Sequence, residues 1–246
     1  MPSDETAQLD RLMYRISHDL CASARALVEL PKWIIEDLEE AQIDLPDEVR
    51  ENLRYLCINS KRLDRMVQDL LEYSRVGRFQ KRSPIVLDDV LETALCATPM
   101  PARFRLRVTP PDLPFTFNQP DFGRVVGALL SNAVKHHDKD HGVITLEILV
   151  DETWIDIQVT DDGPGIPVRH RAQVTELLTT LKPRDEVEGS GMGLAIVERI
   201  TEEHAGGLHI ADNPLGRGTQ VTARLRRGRM PMLVTSNENR REPAPA

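Results

Sequence analysis

Three stretches of the second half, and one of the first, carry side chains that could do chemistry. The run "FGRVVGALLSNAVKHH" has helical spacing, and its apolar stripe leaves Ala128, Asn132, Lys135 and His136 together on another face. Asn132 offers a carbonyl oxygen suited to a hard cation such as magnesium, Lys135 an ammonium suited to phosphate, and His136 a flat ring. On helix geometry alone such a face is an ordinary solvated surface. In "VTDDGPGIP" a strand ends in Asp161 and Asp162, and Gly163 and Gly165 bracket a proline. A carboxylate placed there can accept a hydrogen bond from an amino group such as that of adenine, and glycines let backbone approach a ligand. Taken singly, the stretch reads as a tight turn. In "EGSGMGLAIVERI", Gly189, Gly191 and Gly193 run into an amphipathic helix, where uncrowded backbone N–H groups make an anion site. A dinucleotide-binding turn is one reading, with Asp212 at a suitable distance, but the preceding "LKPRDEVE" is charged and lacks the buried strand such a turn must follow. Far upstream, "SHDL" sets His18 beside Asp19.

Composition limits what this chemistry can serve. The chain has 246 residues, 40% of them hydrophobic, enough for one large domain or two modest ones. A formal net charge of -8 argues against a sequence-blind nucleic-acid binder, which needs a basic face for phosphates. The arginines Arg224, Arg226, Arg227 and Arg229 read as a solvated strand end. Cys21, Cys57 and Cys96 stand far apart, with neither metal-ligand nor disulfide spacing, which favours a reducing compartment. No apolar run approaches the roughly 20 residues of a membrane span, and "MPSDETAQLD" has no signal-peptide character. The expected location is cytoplasmic.

The elements that must position these groups change period along the chain. Leu9, Met13, Ile16, Leu20, Leu27, Leu30 and Ile34 alternate steps of four and three, with Ser23 filling one place. Val49, Leu53, Leu56, Ser60, Leu63, Val67, Leu70 and Ser74 repeat the rhythm, started at Pro46 and Asp47 and stopped at Gly77. Two such helices predict an antiparallel hairpin, and one hairpin has so little core that pairing with a second copy into a dimeric four-helix bundle is the economical solution. His18 falls two residues after the seam position Ile16, on the outer face.

After "GRFQKRSP" strands and helices mix. A short strand and helix are expected over 84–95, strands at "RFRLRV" and "FTF", and a hairpin of "GVITLEILV" and "TWIDIQVT" around Asp151 and Glu152. A helix is expected over "RHRAQVTELLTTL", then the glycine-rich loop, a helix at "GLAIVERITEEH" and strands "GLHIAD" and "GTQVTARLR". The fold class is α+β: a helical hairpin over 5–78, then an α/β sandwich over 84–228 with helices covering one sheet face, and a polar, proline-containing tail over 229–246 expected to be disordered.

The pieces "LLSNAVKHHD", "DDGPGIP", "TLKPRDEVEGSGMGLAIV" and "GRGTQV", in this order over about a hundred residues, resemble the ATP-binding catalytic domain of sensor histidine kinases. The first helical pair is similar to that family's dimerisation and phosphotransfer hairpin, with "SHDL" matching the phospho-acceptor box. The resemblance implies ATP and magnesium as cofactors. It makes Asn132 the magnesium ligand, Lys135 a phosphate contact, and Asp161 the acceptor for the adenine amino group. Gly163 and Gly165 then shape the purine pocket, Gly189, Gly191 and Gly193 cradle phosphates, Thr219 lies close to the base, and His136 replaces an aromatic ring near adenine. His18 becomes the acceptor of the γ-phosphoryl group, with Asp19 orienting its ring and taking its proton. The implied partners are a response regulator receiver domain, a second copy of the chain, and a sensor protein in trans if no input segment is attached.

The chain departs from the family pattern at several places. Ser23 stands where a proline is common, and Pro31 is expected to interrupt and kink the helix later. Ala22, four after the histidine, lacks the amide or hydroxyl that positions water, so reverse dephosphorylation is expected to be weak. Leu178 replaces a lid phenylalanine, and Ala128 occupies the place of the catalytic glutamate in related ATP hydrolases and chaperones. Against the kinase reading stand a dimeric phosphotransfer adaptor or scaffold with an idle pocket, and a serine kinase or ATPase, which Ala128 disfavours.

Overall fold

In the computed structural model of the chain the described residues are 4–77, 81–181 and 189–227, with side chains from Leu20 onward. The expected tail over 229–246 lies outside them. Two long helices come first, α1 (Asp4–Glu40) and α2 (Asp47–Arg75), packed as an antiparallel hairpin. Pro46 sits at the N-cap of α2, Asp47 and Glu48 oppose the positive end of the helix dipole, and Arg75 lies at the negative end. The chain then leaves the helix through Gly77, whose φ of +77° a side chain would resist.

One expectation for the hairpin is corrected. Pro31 does not interrupt α1, which continues for more than two further turns with Pro31 inside it and buried. The heptad stripe is buried within the hairpin only in part. Ala24, Pro31, Ser60, Val67 and Ser74 are buried, whereas Leu20, Leu27, Leu30 and Ile34 stay 43–47% exposed, and Leu56 and Leu63 are exposed beside them. Small side chains let two helix backbones approach closely, and Ala24 of α1 with Ser60 and Ser74 of α2 are among the residues that the hairpin buries. The leucines are left on the adjoining face.

The remainder is built on a five-stranded mixed sheet. After β1 (Ser83–Pro84) and α3 (Leu87–Ala97) come β2 (Phe104–Thr109), β3 (Thr116–Phe117) and α4 (Gln119–Lys135). Then follow β4 (Gly142–Val150), β5 (Trp154–Asp161), α5 (Gly193–Glu203), β6 (Gly207–Asp212) and β7 (Thr219–Arg226). The sheet order is β2-β4-β5-β7-β6, parallel only between β2 and β4, while β1 and β3 pair separately. The β4–β5 hairpin turns where expected, because the Asp151 carboxylate accepts N–H bonds from Thr153 and Trp154 at 2.6 and 2.7 Å.

Strand alternation makes the core. Ile144, Leu146 and Ile148 of β4, Ile155, Ile157 and Val159 of β5, and Val221, Ala223 and Leu225 of β7 are all buried. Phe122, Val125, Val126, Leu129 and Leu130 of α4 and Val197 and Ile200 of α5 belong to the same core. Asn118 caps α4, its side-chain oxygen accepting the N–H of Asp121 at 2.9 Å.

The helix expected over 169–181 is absent. Two single 3-10 turns, Val168–His170 and Gln173–Thr175, take its place, and Leu178 adopts φ +60°. Val174, Thr175, Thr179 and Thr180 are β-branched and favour helix weakly. Leu177, Leu178 and Leu181, which made the helical period, are 40–42% exposed, so there is no buried surface to reward a helix.

A buried ionic network ties the hairpin to the sheet domain. Arg124 of α4 bonds Asp121, which is 3% exposed, at 2.9 Å and pairs with Glu72 of α2, while His204 after α5 reaches the other Asp121 oxygen at 3.1 Å. Arg124→Ala would leave the Asp121 carboxylate with His204 alone and remove the ion pair that joins α4 to Glu72 of α2. An expected loss of about 2–3 kcal/mol follows from hydrogen bonds to charged groups, to be read by urea unfolding.

Candidate nucleotide site

A cavity of roughly 500 Å³ opens between α4, the end of β5, the start of β7 and the glycine segment before α5. Asn132, Lys135 and His136 line it from α4 and the residue after it, Asp161 and Gly165 from the β5 turn, Gly189, Gly191 and Gly193 from the glycine segment, and Thr219 from β7. Residues as far apart in sequence as Asn132 and Thr219 therefore face one space. Two spatial relations explain this: α4 packs against β5, and α5 starts against α4, Gly193 facing Ala128.

Gly163 is the pocket-shaping residue that does not line the cavity. It is buried behind Asp161, and its N–H donates to Asp161 Oδ1 at 2.8 Å. The N–H of Thr219 reaches the same oxygen at 3.3 Å. A side chain at 163 would lie 2.9 Å from that oxygen, so glycine is what lets the turn fold onto the carboxylate. With Oδ1 held from behind, Oδ2 is the oxygen left to accept a hydrogen bond from a ligand. Burial pushes the Asp161 carboxyl above the ordinary aspartate range, opposed by these two N–H donors and by His137.

The glycine segment is tightly constrained on one side and open on the other. Gly191 has φ +76°, and a Cβ there would meet the Thr179 carbonyl at 2.6 Å, while Gly189 has open space. Ser190 between them is buried, its hydroxyl accepting the Met192 N–H at 3.2 Å. Leu178, the departure in the lid, is exposed close to Gly191. The intervening residues 182–188 lie outside the described residues.

His18 and Asp19 lie within the helical backbone of α1, and their side chains are outside the description. Ala22 is exposed and Ala128 lines the cavity.

Sequence reasoning missed the contribution of α2. Arg65, Gln68, Asp69 and Glu72 also line the cavity. Burial raises the Asp69 carboxyl above its usual range, against a hydrogen bond from Ser190 and the charge of Lys135. Nothing in the local sequence marks these positions, since they read as the charged face of an exposed helix. Only the docking of α2 onto the sheet domain turns that face inward. Among the described residues no group of three or more His, Cys, Asp or Glu side chains could hold a metal ion by itself. None of the described helices is long and apolar enough to cross a membrane.

Comparison with known proteins agrees with this geometry. Residues 117–229 match the family described as histidine kinase-, DNA gyrase B- and HSP90-like ATPase. The adaptive-response sensory kinase SasA of Trichormus variabilis is 30% identical over 223 residues, covering 84% of this chain and 55% of that protein. Sensor protein SrrB of Staphylococcus aureus is 27% identical, covering 85% of this chain and 36% of that one. The chain thus spans about half, or less, of the length of these relatives. Among solved structures, the mycobacterial sensor histidine kinase MprB superposes with a TM-score of 0.51 at 25% identity, over 62% of this chain and all of that one. Full-length ShkA, solved in complex with AMPPNP, shares the fold with a TM-score of 0.64 at 20% identity, over 87% of this chain and 45% of that one. Residues 117–229 thus form an ATPase domain of this family, and the chain, with a helical hairpin ahead of that domain, is similar to sensor histidine kinases over most of its length.

Proposed function

We propose that the chain is a histidine protein kinase that autophosphorylates His18 from Mg-ATP and passes the phosphoryl group to an aspartate of a response regulator receiver domain. The observation that carries this reading is the convergence of Asp161, Asn132, Lys135 and three lid glycines on one cavity, in a chain whose first helix bears "SHDL". Asp161 reads the adenine amino group, with Thr219 beside the base and Gly165 shaping its pocket. Lys135 and the N–H groups of the glycine segment hold the phosphates. His136 packs near the purine.

A magnesium ion fits as a shared ion rather than a caged one, because Asn132 supplies one oxygen and the phosphates and water supply the rest. When bound, it neutralises charge on the transferring group. In the reaction a neutral His18 nitrogen attacks the γ-phosphorus, a P–N bond forms, the bond to the β-phosphate oxygen breaks, and ADP leaves. Asp19 takes the proton from the other ring nitrogen. Near an unperturbed pKa of about 6.5, a large fraction of imidazole is neutral at pH 7.

The half-exposed leucine face of α1 and α2 supports a homodimeric four-helix bundle as the setting, with 5–78 as the dimerisation and phosphotransfer unit and 84–228 as the ATP-binding unit. Sensory input reaches it from another protein or a further segment.

Incubating the chain with γ-labelled ATP and magnesium tests the reading. Acid-labile label that moves to a receiver domain is expected, and acid-stable label overturns it. Because Ala22 offers no group to position water, removal of phosphate from the matched regulator is expected to run no faster than its own decay. A phosphorylated-regulator lifetime assay checks this, and fast removal would refute it.

A further inference from the structure

We infer that His137 is a positioning residue that sets the spacing between the phosphate half and the base half of the nucleotide site, and thereby the preference for adenine. The inference rests on the nucleotide reading above. The phosphate half is carried by Asn132 and Lys135 on the last turn of α4, the base half by Asp161 at the end of β5. His137 stands two residues after the end of α4 and reaches the turn after β5.

Its ring is 1% exposed, although the residues around it are at the surface. Nδ1 accepts the N–H of Lys139 at 3.1 Å, which leaves the proton on Nε2, and Nε2 donates to Asp162 Oδ1 at 3.1 Å. The same Asp162 oxygen accepts the Val143 N–H at 2.8 Å, fixing it to β4. Phe104 meets the ring edge-on at 5.1 Å between centroids. Two glycines make room for it. A Cβ at 142 would lie 2.7 Å from Nε2, and one at 163 would lie 3.2 Å from Cδ2.

Gly163 is the residue whose N–H holds the Asp161 carboxylate, so the imidazole is packed directly behind the turn that aims the base-reading group. A plain structural histidine would stabilise the fold equally whatever occupied the pocket. This one touches the turn of Asp161 on one side and, on the other, is tied by its N–H to the Val134 carbonyl in the last turn of α4, which carries Lys135, so deleting it shifts one half of the site against the other. Asp162 is 48% exposed, and the charge pairing itself contributes little. The directed donor and the volume of the ring are what count.

The test measures ADP and GDP affinity of the full chain by calorimetry without magnesium, so that both nucleotides present the same phosphates. Thermal unfolding is followed in parallel. The unmodified chain is expected to prefer ADP. His137→Ala is expected to lower the ADP-to-GDP affinity ratio by about tenfold. His137→Gln, which keeps an N–H donor at the reach of Nε2, is expected to retain most of the ratio. Asp162→Ala breaks the same link from its exposed end and is expected to lower the ratio as His137→Ala does, which keeps the test decisive if the histidine variant does not fold. An unchanged ratio in the folded alanine variants, or a glutamine variant as unselective as alanine, overturns the positioning role. An unmodified chain that binds neither nucleotide overturns instead the nucleotide reading on which it rests.

Discussion

Replacing His18 by glutamine is expected to abolish phosphorylation of the chain from γ-labelled ATP while leaving ADP affinity within about twofold. Glutamine fills a similar volume on a helix and has good helix propensity, so α1 keeps its structure. Its amide nitrogen has no available lone pair and cannot form the P–N bond. Among the described residues none that lines the cavity comes from α1, and ADP binding is expected to be preserved. Asp19→Asn is the graded companion. It removes the base but not the nucleophile, and a fall of about 100-fold in the rate of label incorporation is expected, with binding again preserved. Filter-binding of labelled protein checks the incorporation and calorimetry the binding. Label persisting in the His18→Gln chain would show that another group is the acceptor.

Asp161→Asn is expected to weaken ADP binding by about 100-fold and yet leave the chain at least as stable as before. The loss follows from exchanging a charged acceptor for a neutral amide that can present its N–H₂ to an amino donor. A hydrogen bond to a charged group is worth about 1.5–3 kcal/mol, and 1.4 kcal/mol is tenfold in affinity. The stability follows from burial. The folded-state value of this carboxyl lies above its unfolded value, so its contribution to folding is fully present below the unfolded pKa and is lost as pH rises through the folded one. At neutral pH the ionised group opposes folding, and asparagine removes that cost while its oxygen still accepts from Gly163 and Thr219. Thermal unfolding of both chains between about pH 4 and pH 8 should show the variant equal or higher at neutral pH, with the difference closing towards acid. Adenine nucleotide binding by the unmodified chain should weaken on acidification at a higher pH than an ordinary aspartate would dictate. A variant with unchanged ADP affinity would remove Asp161 from the site.

Most of the sheet domain was legible because its strands alternate cleanly. Ile144, Leu146 and Ile148 mark the inward face of β4 without reference to any neighbour, and a turn held by Asp151 completes the hairpin. The failures have physical reasons. Val174, Leu177, Leu178 and Leu181 carry a helical period, but a period specifies an element only where a surface buries it, and these leucines stay exposed. In the hairpin Ser60 and Ser74 hold expected heptad places and are buried, whereas on α1 it is Ala24 that is buried and the expected Ser23 that is exposed. Gly163, expected to shape the purine pocket, lies behind Asp161 and is not among the residues lining the cavity.

By itself the sequence determined the kinds of chemistry available: an amide, an ammonium and a carboxylate at element ends, glycines ahead of a helix, and a histidine on a separate heptad helix. These are local properties, set by residue type and by the spacing of one element. Only the tertiary structure decided which groups share a space and what holds them. It packed His137 rather than His136 behind the Asp161 turn, turned the charged face of α2 into a wall of the cavity, and joined α2 to α4 through Arg124. The first and last of these depend on contacts between residues 25 and 52 positions apart, and the burial that gives such contacts their strength exists only once the chain has folded.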